Sequence, residues 1–286
     1  VFVGGLVNLS EFIFYVCFLL VLLYCFLLFL SPLLIQSDNR ILLGVGATSY
    51  LLNIFMCHQL PQRSFFIFGE QMPICSRDAS LFFGILLACV LSARKLPSFL
   101  KTPHLSALSV VLIGVDGVLQ LAGVWESTNL IRAFTGFFAG FAISCYAIWV
   151  FVGEWHLNRK LAWKAFLVIL PPLILFFAAS LYVGERYLTK SEVLSRAKAI
   201  NNSLPIRVFY IAPRAFSSSI PSDGYVRSYN DTVLSDVARI GNGNHPYGVW
   251  VAVFSNNSYG RYVFASEGVN CFYDAVSGEL IGEFKH

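Results

Sequence analysis

Phe12–Ile35, reading FIFYVCFLLVLLYCFLLFLSPLLI, is a run of 24 residues without a charge. An α-helix rises about 1.5 Å per residue, so this run spans the roughly 30 Å hydrocarbon core of a bilayer with room for tilt. It is too long for a signal-peptide core, and no small-residue cleavage site follows it. The stretch therefore predicts a membrane-spanning helix, and the composition agrees. Of 286 residues, 57% are hydrophobic, 13% are charged and 27 are Phe. Soluble chains carry about 25% charged residues, so this chain lacks the polar surface to coat a soluble particle. A net charge of +4 spread along the chain makes no phosphate-tracking stripe, and no nucleic-acid partner is expected. Disorder, collagen and coiled coil are excluded on the same figures. The lipid bilayer is the expected environment.

The remaining apolar runs follow. Ile41–Met56 and Ala79–Ala93 number 16 and 15 residues, short for a full crossing. They flank the polar and aromatic stretch Cys57–Asp78, which reads as a loop dipping below the interface under protein cover. Ala107–Trp125, Asn129–Val152 and Ala165–Gly184 are further spans. The last carries Pro171-Pro172, which predicts a kink because neither ring donates a hydrogen bond. The expectation is an all-α polytopic helix bundle of about six spans, two of them short. Charge density then changes: Val1–Gly184 holds 17 charged residues, whereas the 102 residues from Glu185 hold 19. Two domains are expected, residues 1–184 in the membrane and residues 185–286 in water.

Lys and Arg in short loops set the orientation. Arg94, Lys95 and Lys101 share one loop, and Arg159, Lys160 and Lys164 another, two spans away. With both cytoplasmic, the chain is N-out and C-out: a multi-pass cell-membrane protein whose C-terminal domain lies outside the cytoplasm. Trp125 then falls at the outer boundary, with Trp149, Trp155 and Trp163 near the inner one. Acceptor patterns for glycosylation at Asn201, Asn230 and Asn256 fit an outer tail, though so short a pattern arises often by chance.

The tail reads as a small α+β extracytoplasmic domain. In Leu188–Ala199, LTKSEVLSRAKA, Thr189 is a helix cap with Glu192 three residues on, and Val193, Ala197 and Ile200 follow at helical spacing. Strands are expected at Ile206–Ile211, Val249–Ser255, Arg261–Ala265, Val269–Ala275 and Leu280–Phe284. Asn256–Gly260 reads as a hairpin turn between the second and third of these, and Ser277-Gly278 as another before the last. The helix TKSEVLSRAKA and the ending CFYDAVSGELIGEF resemble the PepSY type of secreted domain. That resemblance implies a module contacting proteins or peptides, and hence protein partners, and brings no catalytic residues.

The polar stretch holds Cys57-His58-Gln59-Leu60-Pro61-Gln62-Arg63-Ser64-Phe65, then Gly69, Gln71, Pro73, Cys75, Arg77 and Asp78. Further on come Asp116-Gly117, Gln120-Leu121, Gly123, Ser127-Thr128-Asn129 and Arg132. These residues resemble the prokaryotic membrane family of unknown function DUF2085 over about Ile41–Val152. The family pattern ends its first motif in a cysteine where this chain has Asp78. No activity comes with the resemblance.

Three chemical readings remain. Cys57, His58, Cys75 and Asp78 offer sulfur, nitrogen and oxygen ligands of kinds that Zn²⁺ accepts. Cys75 and Asp78 are spaced to face one point, whereas adjacent residues such as Cys57 and His58 rarely bind one ion. A Cys57–Cys75 disulfide or two free thiols are the alternatives. Asp116, in the middle of Ala107–Trp125, must face the bundle interior or be protonated, because an ionised carboxylate there costs about 2.5–3.5 kcal/mol. Gln120 lies one turn on, Asn129 and Arg132 begin the next span, and Arg132, Arg63 and Arg77 are its rival partners. This set is either an ion- or proton-handling site or a structural network. Gly136 and Gly140 form a small-residue packing pair. Ser64–Phe68 either lines a ligand groove or anchors the loop at the interface. Cys17, Cys25, Cys89 and Cys145 read as small packing residues, and Cys271 as a buried strand residue. No Walker A motif, Rossmann glycines, H-E-x-x-H, G-x-S-x-G or C-x-x-C-H occurs. The functional expectation is a non-enzymatic structural, sensing or accessory subunit of an envelope assembly, with a metal-dependent enzyme or a transporter as alternatives.

Overall fold

The computed structural model describes residues 2–92, 96–153, 159–201, 207–211, 248–255 and 268–285. It is mostly helical: α1 Phe2–Leu34, α2 Arg40–Asn53, α3 Ser76–Ser92, α4 Pro103–Leu121, α5 Asn129–Phe151, α6 Arg159–Arg186 and α7 Lys190–Asn201. The strands are β1 Ser64–Ile67, β2 Glu70–Cys75, β3 Arg207–Ile211, β4 Val249–Ser255, β5 Gly268–Asp274 and β6 Leu280–Lys285. Contacts divide the chain into two units, one of Val1–Leu27 and Ser76–Leu175, the other of Leu28–Cys75 and Phe176–His286.

Among the described residues, four stretches are long and apolar enough to cross a membrane: Leu9–Leu34, Pro103–Gln120, Asn129–Phe151 and Lys160–Ala199, which takes in α6 from Lys160 and most of α7. The sequence had suggested six. The difference lies in α2 and α3, which have 14 and 17 residues and rise only about 21 and 26 Å. The spanning helices keep large apolar side chains outward, among them Val111, Val118, Ile174 and Leu175, as helices solvated by lipid do. Both Pro171 and Pro172 lie inside α6, which runs through them as one 28-residue helix.

In the first unit, glycine decides the packing. A Cβ on Gly136 would overlap the carbonyl oxygen of Arg77, one on Gly140 that of Leu81, and one on Gly84 that of Phe137. The backbones of α3 and α5 therefore meet directly, and the Gly136/Gly140 pair is a helix-packing face. Phe14 and Tyr15 of α1, Ala88 and Cys89 of α3, Cys145 and Ile148 of α5 and Ala165 of α6 fill the adjoining core. Cys25 is buried as expected, but Cys17 is exposed on the outer side of α1. The α4 helix ends in a Schellman cap: Val124 N–H donates to Leu119 O at 3.1 Å and Gly123 N–H to Gln120 O at 3.2 Å. Gly123, at φ 68°, is what lets the chain turn there.

In the second unit, Asn39 caps α2, its side chain accepting from Ile41 N at 2.9 Å and Leu42 N at 3.4 Å. Thr189 and Glu192 form the expected capping box on α7: Thr189 N donates to Glu192 Oε2 at 2.7 Å and Glu192 N to Thr189 Oγ1 at 3.3 Å. Arg40 donates to the carbonyls of Tyr187 and Gly184 at the end of α6 and pairs with Glu192, a cation where the helix dipole favours one. Strands β3 to β6 form an antiparallel meander in chain order. One face of it packs Val208, Tyr210, Trp250, Ala252, Cys271 and Tyr273 with Val193 and Ala197 of α7. The β4 strand pairs with β3 and β5. Residues 261–265 and the 256–260 turn lie outside the described residues, as do Arg94, Lys95, Trp155, Asn230 and Asn256; so does the side chain of Asn201.

Candidate functional site

The stretch read as an irregular loop contains a β-hairpin. Ile67 pairs with Glu70 across Phe68-Gly69, whose φ angles of 51° and 87° give a two-residue turn of the left-handed kind that fits strand twist. The usual signal for such a turn is Asn-Gly or Asp-Gly, and Phe-Gly concealed it. The motif residues brace its base. Gln59 Nε2 donates to Tyr50 O at 2.7 Å and Pro73 O at 3.0 Å. Gln71 Nε2 donates to Gln59 O at 2.7 Å and Ser64 Oγ at 3.1 Å, and Tyr50 Oη donates to Gln71 O. Buried Glu70 accepts from Tyr210 N at 3.0 Å, which satisfies a donor of strand β3. Gln59, Ser64 and Gln71 stood in the motif that carries the family resemblance, but the bracing role of these residues and of Glu70 was not legible in the sequence; its signal was the density of amide side chains between two apolar runs.

Cys57 and Cys75 stand at the two ends of this braced segment. Their sulfurs lie within 4.8 Å of each other. Two backbone N–H groups point at the Cys57 sulfur, from Cys75 at 3.1 Å and Gln59 at 3.4 Å. Gln59 adopts φ 50° to do so. His58, the fourth ligand suggested by the sequence, is exposed and stands outside this group.

A second cluster lies at one end of the first unit. Arg77, in the first turn of α3, pairs with Asp116 Oδ2 and donates to Gln120 Oε1 at 3.3 Å. Asp116 is 8% exposed. The sequence left three arginines as its partner, and it is Arg77 that stands there. Arg63 belongs to the other unit, and buried Arg132 donates to Asn129 Oδ1 at 3.1 Å and Glu126 Oε1 at 3.5 Å. Ser76 Oγ reaches the same Asn129 oxygen at 3.2 Å. Asp116 also sits closer to a helix end than expected. Because Gly123 caps α4 early, the carboxylate stands five residues from Leu121, about 8 Å of rise, and not at the centre of the span.

A family model described as predicted membrane protein (DUF2085) matches residues 57–146. An uncharacterized protein of Methanocaldococcus jannaschii is 42% identical over 106 residues, covering 36% of this chain and 67% of the relative. An uncharacterized protein of Methanothermobacter thermautotrophicus is 32% identical over 94 residues, covering 32% of this chain and 82% of the relative. No solved structure matches. The matched segment takes in both thiols, the hairpin between them and the Arg77–Asp116 cluster.

Proposed function

Because this chain belongs to the DUF2085 family of predicted membrane proteins, we propose that it is a non-enzymatic, structural or accessory component of an envelope assembly. One observation carries this reading: Asp116 and Arg132, the buried charges of the helical unit, are each paired with an opposite charge. The Asp116 carboxylate is engaged by Arg77 and the Arg132 guanidinium by Asn129 and Glu126. A carboxylate held this way ties helices together and has little freedom to carry ions or protons. The segment of α7 and strands β3–β6 is the interaction module, outside the cytoplasm. Its capping box at Thr189 and its tight turn from Asp274 to Glu279 support the PepSY-like reading. In that turn Asp274 Oδ1 accepts from Val276 N at 3.0 Å and Ser277 N at 2.8 Å. Lys and Arg in the loop holding Lys101 and in the one before α6 support placing the termini outside.

Reconstitution tests the central claim. Proteoliposomes containing the chain should be no more permeable to protons, Na⁺ or K⁺ than empty vesicles, and Asp116→Asn should change thermal stability alone. A wild-type flux abolished by Asp116→Asn would overturn the reading in favour of a transporter.

A further inference from the structure

We propose that Cys57 and Cys75 form a reversible dithiol–disulfide centre oxidised by a small organic disulfide, independently of the structural role argued above. Both residues belong to the second unit, and their sulfurs are within 4.8 Å of each other. A disulfide bond is about 2.05 Å long, so closure asks the sulfurs to approach by less than about 3 Å, within the sweep of a cysteine side chain changing rotamer. The backbone is already in place. The Cys75 N–H lies 3.1 Å from the Cys57 sulfur, so the main chain of one cysteine stands at the side chain of the other.

Their surroundings give the two thiols different parts. Cys75 is half-buried, whereas Cys57 is 5% exposed, so a disulfide arriving from solvent meets Cys75 first. The Cys57 sulfur receives backbone N–H groups from Cys75 and, at 3.4 Å, from Gln59. Such donors favour negative charge on sulfur, and the thiolate is the attacking form. Gln59 presents its N–H at φ 50°, a strained conformation that its side-chain bonds to Tyr50 O and Pro73 O hold in place. The Cys75 thiolate attacks one sulfur of the incoming RS–SR, forms a Cys75–SR mixed disulfide and expels RS⁻. The Cys57 thiolate then attacks the Cys75 sulfur, forms the Cys57–Cys75 bond and expels the second RS⁻. Two electrons pass from the cysteine pair to the incoming disulfide, and the two thiol protons end on the two RSH products. Because Cys75 stays open to solvent, excess RSH reverses both steps. Oxidation closes the hairpin at its base, where Cys75 pairs with Ser64.

The test equilibrates the reduced chain, in detergent and free of other reductant, with oxidised and reduced glutathione at varied ratio, then quenches with acid and alkylates. The wild-type chain, a readout needing no variant, should lose the mass of two hydrogens. Trypsin cutting after Arg63 separates the two cysteines, so the bond should appear as a linked pair of peptides. The bonded fraction should rise from near zero to near complete as the ratio turns oxidising, and fall again when the ratio is reversed. Cys57→Ser should accumulate glutathione on Cys75, because the resolving thiol is gone. Cys75→Ser should carry at least about tenfold less on the buried Cys57. The proposal is overturned by the absence of a Cys57–Cys75 bond at every ratio, by equal glutathione on the two variants, or by a bond that excess reduced glutathione leaves intact, which would make it a fixed cross-link.

Discussion

Arg77 and Asp116 set the energetics of the helical unit at the residue scale. Removing one member strands the other charge in a poorly solvated place, so Asp116→Leu should cost about 3 kcal/mol and Arg77→Leu a similar amount. Arg77→Leu combined with Asp116→Leu should cost less than either alone, because no charge is left unmatched. Thermal unfolding in detergent checks all three; equal or additive losses would show that the pair carries no coupling. Cys271 gives a second residue-scale prediction. Burial, with Glu283 adding to it, pushes its thiol up to about 11. At about pH 8 it should hold roughly a hundredfold fewer thiolates than an ordinary cysteine. Cys271 should therefore resist maleimide in the folded chain and react once SDS unfolds it, as mass spectrometry of the labelled peptide will show.

At the scale of elements, the glycines divide sharply. Gly114 has nothing near the place a Cβ would occupy, so Gly114→Ala should be neutral or stabilise α4 by up to about 1 kcal/mol. Gly136→Leu or Gly84→Leu would drive carbons into the facing backbone and separate α3 from α5. Melting temperatures of the three variants, measured together, test whether backbone contact holds that pair. Loss of the α7 cap by Thr189→Ala should cost about 1 kcal/mol. Here the sequence was readable, because Thr189 and Glu192 act through neighbours in the chain. The Phe68-Gly69 turn was unreadable for the complementary reason: its backbone conformation is that of an Asn-Gly turn, and its first residue is apolar. The choice of Arg77 for Asp116 was equally hidden, since it depends on which helices pack and not on spacing along the chain.

For the whole molecule, composition alone sufficed to place the chain in lipid, and the four long apolar stretches follow from it. Among the described residues four stretches are long and apolar enough to cross; Ile41–Met56 and Ala79–Ala93, the two short runs, fall on the shorter helices α2 and α3. Asn39 and the β2–α3 junction start these helices of 14 and 17 residues. The proposed sidedness can be measured directly. In a cysteine-free background, Lys101→Cys should be labelled only from the cytoplasm and Glu279→Cys only from outside; labelling of both from one face would refute the N-out, C-out arrangement.

The glycine contacts between α3 and α5 have a consequence for motion. Backbones in direct contact at three successive turns cannot shift along each other by a fraction of a turn without collision. The next register that realigns the notches is four residues away, about 6 Å. The two helices must therefore travel as one rigid strut. Among the described residues α4 instead meets the strut without glycine notches, tied to it by the Arg77–Asp116 pair and by Ser106 Oγ donating to Ala142 O at 3.0 Å, and is freer to shift against it.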